Sequence, residues 1–318
     1  MTTHVEQHAR TFTCRLGRPL SYIEAGSGPD IVVVNAYGVS TQLWRPVVER
    51  LGLTNRVLLW DMRGFADGER DLKFTLADHA ADLEEILDHA GSTSPHFLAY
   101  CSGTKVALTA YEKLRDRVQS FVFVGGNFWP MTDFGPMQCR FAINLYNLAQ
   151  MVKKRPFMAP IVVTVMRGNI IALPSVTENM NMIPEEYRDL VVGPFTSKEA
   201  VRTYADLVVD YYRTDMTPTL DALSVPTLVI GAQADLVVDP SLSTAAARRI
   251  PNAEFKSVED FNHFCMVEAP DRLADLVSDF VDRVLAGTAC LPAGGIPPGI
   301  APRSELAFET RSKGSSVG

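Results

Sequence analysis

The feature that most constrains this chain is a repeated alternation of short apolar runs with longer amphipathic stretches. Ile31-Val32-Val33-Val34 is a continuous β-branched run, the mark of a strand buried on both faces of a parallel sheet. Val57-Leu58-Leu59-Trp60, Phe97-Leu98-Ala99-Tyr100, Phe121-Val122-Phe123-Val124 and Thr227-Leu228-Val229-Ile230 repeat that signal. Between them, residues 75–90 carry apolar side chains at Leu76, Ala80, Leu83 and Leu87, a helical stripe, and residues 103–114 read as a second helix. Pro19 to Ala25 reads as a half-buried strand, broken by the turn Gly26-Ser27-Gly28-Pro29. After residue 230 the text gives a helix over 241–249, a short strand over 255–258 and a helix over 271–285. Strands and helices alternating at this spacing imply βαβ units and a mostly parallel sheet. The chain has no internal repeat.

The rhythm stops near Gly125 and returns near Val225. The intervening insertion has helical stripes of its own, one at Phe141, Leu145, Leu148 and Val152, another at Val201, Tyr204, Val208 and Tyr211 with Ser197 as its N-cap. Eight of the eleven methionines fall between Met131 and Met216, either as the core of a small helical subdomain or as an adaptable apolar surface. From Ala286 the chain is rich in Pro, Gly and Ser and is expected to be disordered. The expected organisation is therefore a core over 1–125, a helical cap over 126–218, the rest of the core over 219–285, and a tail over 286–318.

Bulk properties exclude several functions. A net charge of −7 over 318 residues argues against nucleic acid as a partner, since that needs basic surface. The start MTTHVEQHARTF has no apolar segment of the secretory kind, and no apolar run approaches the roughly 18 residues that span a bilayer. Five scattered cysteines without a C-x-x-C pair read as reduced thiols, with no disulfide framework and no metal site. The expectation is a cytoplasmic protein with no membrane contact.

Three residues point to chemistry. Ala99-Tyr100-Cys101-Ser102-Gly103 joins a strand to a helix in the form small–x–nucleophile–x–Gly, the pattern of a nucleophile elbow. Such a turn crowds the residues two positions to either side, so they must be small. The helix that follows aims its N-terminus at the thiol, which favours a thiolate. Asp235 closes Gly231-Ala232-Gln233-Ala234-Asp235 after a buried strand, and His263 follows the last short strand. Each has an ordinary structural reading: a small buried cysteine, a capping aspartate, a core histidine. Their order of nucleophile, acid, histidine, each after a strand's C-terminal end, makes coincidence the poorer account.

From about residue 19 to residue 285 the chain resembles the α/β-hydrolase superfamily, with a mostly parallel sheet flanked by helices and a helical cap. Asn35-Ala36-Tyr37-Gly38 followed by Trp44 resembles the His-Gly-containing oxyanion loop, although Asn35-Ala36 stands where His-Gly is usual. Asp61-Met62-Arg63-Gly64 resembles the Asp-x-Arg-Gly turn, and Val225-Pro226-Thr227 the entry to the acid-bearing strand. The resemblance implies catalysis by Cys101, His263 and Asp235, and an oxyanion hole made by the backbone N–H groups of Tyr37 and Ser102. No cofactor is implied.

Most proteins of this kind use serine. A cysteine acylated by a thioester gives another thioester of nearly equal energy, which suits reversible shuttling between thiols. The leading expectation is thus acyl or aminoacyl transfer, resembling the trans-acting transferases and type II thioesterase-like enzymes of nonribosomal peptide and polyketide pathways. Phosphopantetheine would then enter as part of the substrate, and acidic carrier proteins as partners. Lys153-Lys154-Arg155 would be their docking cluster, unless it only complements a helix end; Arg167 offers weaker support. The alternatives are a cysteine hydrolase of a small ester, lactone or thioester, and a non-catalytic binding protein. Cys139 and Cys265 are expected to serve packing.

Overall fold

The computed structural model describes residues 5–64, 73–131, 140–169, 187, 190 and 193–289. Its strands are β1 (Gln7–Thr13), β2 (Pro19–Gly26), β3 (Asp30–Val34), β4 (Arg56–Leu59), β5 (His96–Tyr100), β6 (Ser120–Val124), β7 (Thr227–Ala232) and β8 (Ala253–Val258). Its helices are α1 (Arg45–Leu51), α2 (Leu76–Ala90), α3 (Gly103–Leu114), α4 (Arg140–Lys154), α5 (Ala159–Asn169), α6 (Lys198–Arg213), α7 (Thr217–Asp221), α8 (Pro240–Arg249), α9 (Cys265–Glu268) and α10 (Pro270–Leu285). The eight strands form one sheet in the order β1-β2-β4-β3-β5-β6-β7-β8. β1 and β2 run antiparallel to their neighbours, and every pairing from β4 to β8 is parallel. This is the α/β-hydrolase fold that the sequence led us to expect.

The apolar runs become strands because both of their faces are covered. Every residue of β5, β6 and β7 is buried. Aromatic rings hold β5 to β6 and β6 to the loop after it: Phe97–Phe121, Phe121–Phe123 and Phe123–Phe128 centroids lie 5.4, 5.1 and 5.1 Å apart. α2 starts at a capping box between Thr75 and Asp78 and ends at Gly91 in the left-handed region.

The strand order reverses at β3. The chain steps from β3 to β4 on one side and then returns to β5 on the other. Right-handed crossovers therefore put α1 on one face and α2 and α3 on the opposite one. The loops after β3 and β5 diverge at this point and leave a crevice at the strands' C-terminal ends, the place where open α/β sheets bind ligands.

Several elements carried no readable signal, β1 and α1 among them. β1 is polar on both sides and mostly exposed, so its residues show no alternation. α1 has only seven residues and takes its place from Pro46 in its first turn and from packing against α10. The stripes in the insertion fall on α4 and α6, and the Ser197 hydroxyl accepts from the Ala200 N–H at 3.0 Å as the expected N-cap. Residues 290–318, Cys139 and the Arg167 side chain lie outside the described residues. Among the described residues, no helix is long and apolar enough to cross a membrane.

Candidate active site

The turn between β5 and α3 has the conformation that the spacing of small residues foretold. Cys101 sits at φ 49°, the one non-glycine with positive φ among the described residues. Holding a side-chain-bearing residue there costs about 1–3 kcal/mol and persists only where the surroundings enforce it. The Cys101 N–H is held by the Val124 carbonyl at 2.9 Å, and its carbonyl accepts from the Thr104 N–H at 3.2 Å and the Thr104 hydroxyl at 2.7 Å. A Cβ on Gly103 would lie 2.1 Å from the Val34 carbonyl oxygen and 2.4 Å from that of Asn35, so only glycine lets α3 approach β3 this closely. Cys101 is partly exposed, and it precedes the N-terminal end of a 12-residue helix, where negative charge is favoured.

Asp235 follows β7 and is oriented from two sides. One carboxylate oxygen accepts the backbone N–H groups of Val237 and Val238, both at 2.8 Å. The other accepts the Nδ1–H of His263 at 2.8 Å. That bond fixes the tautomer and leaves Nε2 as the ring nitrogen available to a partner in the cavity. His263 is buried, packs against Tyr100 at 5.1 Å and Phe264 at 5.4 Å, and lines the same cavity as Cys101. Burial alone would depress its imidazolium. The charges of Asp235 and Cys101, with the hydrogen bond to Asp235, outweigh burial and raise the pKa to about 10. The arrangement favours an imidazolium backed by the Asp235 carboxylate.

The loop after β3 differs from the expected oxyanion hole. The Tyr37 N–H donates to the Ser102 hydroxyl oxygen at 2.8 Å and so does not point freely into the site. The Ser102 hydroxyl, thus engaged as an acceptor, keeps its own O–H as a donor at the cavity wall. Asn35, where His is usual, braces this loop. Its Oδ1 accepts the Trp44 indole N–H at 2.8 Å, and its Nδ2 donates to the Val39 carbonyl at 2.6 Å. The Asp-x-Arg-Gly turn is structural: the Asp61 carboxylate accepts the Thr41 N–H at 2.8 Å, and Arg63 forms a buried, bidentate pair with Asp82.

Cys101, Ser102 and His263 open into one cavity of about 140 Å³. The core contributes Tyr37, Val238 and Phe264 to its walls; the insertion contributes Phe141, Leu145, Met166, Tyr204 and Tyr211. An apolar cavity of this size accommodates a group such as one aromatic ring. The basic cluster lies apart from it at the end of α4. Lys153 forms an ion pair with Asp206 of α6 at 2.8 Å, while Lys154 and Arg155 are exposed. Cys265 is fully buried in packing, and burial pushes its thiol pKa up. Among the described residues no group of His, Cys, Asp or Glu could hold a metal ion.

Sequence reading missed the residues that orient others. Gly125, at φ 59°, passes under the acid–histidine pair; a Cβ there would lie 3.3 Å from Asp235 Oδ2 and 3.4 Å from His263 Nδ1. The amides of Val237 and Val238 leave no mark in a one-dimensional text. Only the residue type of Asn35 hinted at its brace.

Comparison with known proteins agrees with this architecture. The family model described as alpha/beta hydrolase fold matches residues 29–182. A putative carbamate hydrolase RutD from Azorhizobium caulinodans is 25% identical over 270 residues, spanning 83% of this chain and 96% of the relative. The 3-oxoadipate enol-lactonase 1 of Acinetobacter baylyi is 24% identical, over 88% of this chain and 99% of its own. Among solved structures, haloalkane dehalogenase DbeA from Bradyrhizobium elkani superposes with a TM-score of 0.73 at 17% identity, covering 89% of this chain and 100% of that one. A thermophilic esterase from Thermogutta terrifontis gives 0.65 at 23%, covering 88% and 99%.

Proposed function

We propose that this chain, an α/β-hydrolase fold with sulfur in place of the usual oxygen, is a cysteine hydrolase of small esters, lactones or thioesters with an apolar acyl group. The observation that carries the reading is Cys101, held in left-handed backbone geometry at an apolar cavity that His263 also lines, with Asp235 behind the imidazole.

In the proposed cycle the Cys101 thiolate attacks the acyl carbonyl, and the carbonyl π electrons move to oxygen. Donors for that oxygen are the Ser102 N–H at the start of α3 and the Ser102 O–H, itself polarised by the Tyr37 amide. The tetrahedral intermediate collapses as the bond to the leaving group breaks, and the His263 Nε2–H protonates the leaving atom. The product is an acyl–Cys101 thioester with neutral His263. Water then attacks the thioester and gives its proton to His263. The carboxylic acid departs, and thiolate and imidazolium are restored. Asp235 holds the tautomer throughout and stabilises the cation.

Transfer between carrier thiols rests on the same sulfur, but hydrolysis has the broader support. Two relatives aligned along most of the chain bear hydrolase and lactonase names. Of the cluster expected to dock a carrier, Lys153 is engaged by Asp206.

Intact mass spectrometry with p-nitrophenyl butanoate and benzoate tests the reading. The expected result is a transient acyl adduct, absent in Cys101→Ala, that decays in water at the rate of steady-state turnover. An adduct that persists in water and clears only on adding pantetheine supports transfer over hydrolysis. No adduct with any acyl ester or thioester sinks both and leaves a binding protein.

A further inference from the structure

One buried cation has no part in that cycle. Lys105 lies on α3 four residues after Cys101, and its side chain is wholly shielded from solvent. Its Nζ donates to three backbone carbonyls: Tyr211 at 2.7 Å, Thr214 at 2.6 Å and Trp129 at 3.1 Å. An ammonium has three N–H donors and no acceptor, so this set satisfies it completely. It also lies 4.4 Å from the centre of the Tyr211 ring. Two of the acceptors belong to the C-terminal end of α6, where unpaired carbonyls and the helix dipole favour a cation. The third lies in the loop after β6. Lys105 thus joins the helix of the nucleophile to the two ends of the insertion.

The same end of α6 forms a wall of the cavity through Tyr211 and Tyr212. Other bonds gather there. The Tyr211 hydroxyl donates to the Asn127 carbonyl at 2.9 Å, the Met216 N–H to the Phe128 carbonyl at 2.9 Å, and the Met131 N–H to the Tyr212 carbonyl at 2.5 Å. Asp210, one residue before Tyr211, accepts the Leu76 N–H at the start of α2. Among these ties only Lys105 reaches the wall from the helix that follows Cys101.

We propose that Lys105 is a positioning residue that latches the C-terminal end of α6 to the nucleophile helix and thereby sets the distance from Cys101 to the Tyr211–Tyr212 wall, and with it the size of acyl group admitted. This rests on the reading of the Cys101 cavity as an acyl site. Burial lowers the Lys105 pKa to about 7, against the opposing pull of Asp215 and Asp210.

The test compares wild type, Lys105→Met and Lys105→Arg in two measurements that need no turnover. The first is the rate of Cys101 alkylation by N-methyl, N-butyl and N-dodecyl maleimide, followed on the Cys101 peptide. The second is hydrogen exchange at the amides of Thr214 and Met216. In wild type the butyl reagent is expected to outpace the dodecyl one. In Lys105→Met that ratio collapses towards one, and both amides lose protection. Lys105→Arg, which keeps the donors on a larger head, retains protection and moves the ratio towards the longer chain. An unchanged ratio in Lys105→Met overturns the proposal, even where protection is lost, because the lysine would then serve local structure only. If Lys105→Met does not fold, an unchanged ratio in Lys105→Arg overturns it equally. Absence of ester turnover with the maleimide pattern intact sinks the hydrolase reading and leaves this one standing.

Discussion

Replacing Gly103 by alanine tests the geometry on which the site depends. The added Cβ would meet the Val34 oxygen at 2.1 Å and the Asn35 oxygen at 2.4 Å. An ordinary carbon–oxygen contact begins near 3.3 Å, so α3 and the β3 end must separate by about 1.2 Å. Neither obstacle is a side chain that can swing aside; both are backbone carbonyls at the end of a strand paired on both sides. Overpacking of this kind costs about 1–3 kcal/mol, and in a large domain each kcal/mol lowers Tm by about 2–4 °C. The chemical cost should exceed the stability cost. The separation draws Ser102 from Tyr37 and moves Cys101 relative to His263, and a shift of about 1 Å at reacting groups costs roughly a hundredfold in rate. Gly91→Ala is the control. Gly91 also has positive φ, at 65°, but an added Cβ meets nothing within 4 Å, so it should lower Tm modestly and leave kcat alone. Calorimetry and ester hydrolysis on both variants decide the matter. A Gly103→Ala enzyme with wild-type kcat, or a Gly91→Ala enzyme equally impaired, would refute the reasoning.

Asp235→Asn should cut kcat by roughly 10⁴, since the amide no longer enforces the productive tautomer. It should also change the pH dependence of stability. The folded-state pKa of His263 is raised from 6.5 to about 10, so its stabilisation is complete below pH 6.5 and fades as pH rises towards 10. Lys105, lowered to about 7, slopes the other way between there and 10.5 but is common to both proteins. The wild-type advantage in urea midpoint should therefore shrink from pH 6 towards about pH 10, and a constant advantage would contradict the assignment. Ser102→Ala should lower kcat by about 10²–10³ with little change in KM if its hydroxyl serves the oxyanion; an unchanged kcat would mean that the freed Tyr37 amide does that work directly. Asn35→Ala should cost about 1–3 kcal/mol in chemical denaturation, because it orphans the indole N–H of the fully buried Trp44.

Much of this molecule was legible before any coordinates. Periodicity located seven of the eight strands, because a run such as 31–34 or 121–124 is apolar throughout only when helices cover both of its faces. Composition at Ala99 and Gly103 disclosed the elbow, since steric crowding acts through residue size. The order of Cys101, Asp235 and His263 was readable because each follows a strand, and parallel strands bring their C-terminal ends to one edge. Tertiary structure alone decided how the groups are oriented. That the Tyr37 amide turns to the Ser102 hydroxyl, that two loop amides hold Asp235, and that Lys105 caps a helix more than a hundred residues away depend on distances between segments remote in sequence. Hydrogen bonds to backbone atoms are blind to side-chain identity at the accepting end, so no residue there had to be of any particular kind. Local pattern fixes what a segment becomes; only packing fixes what it meets.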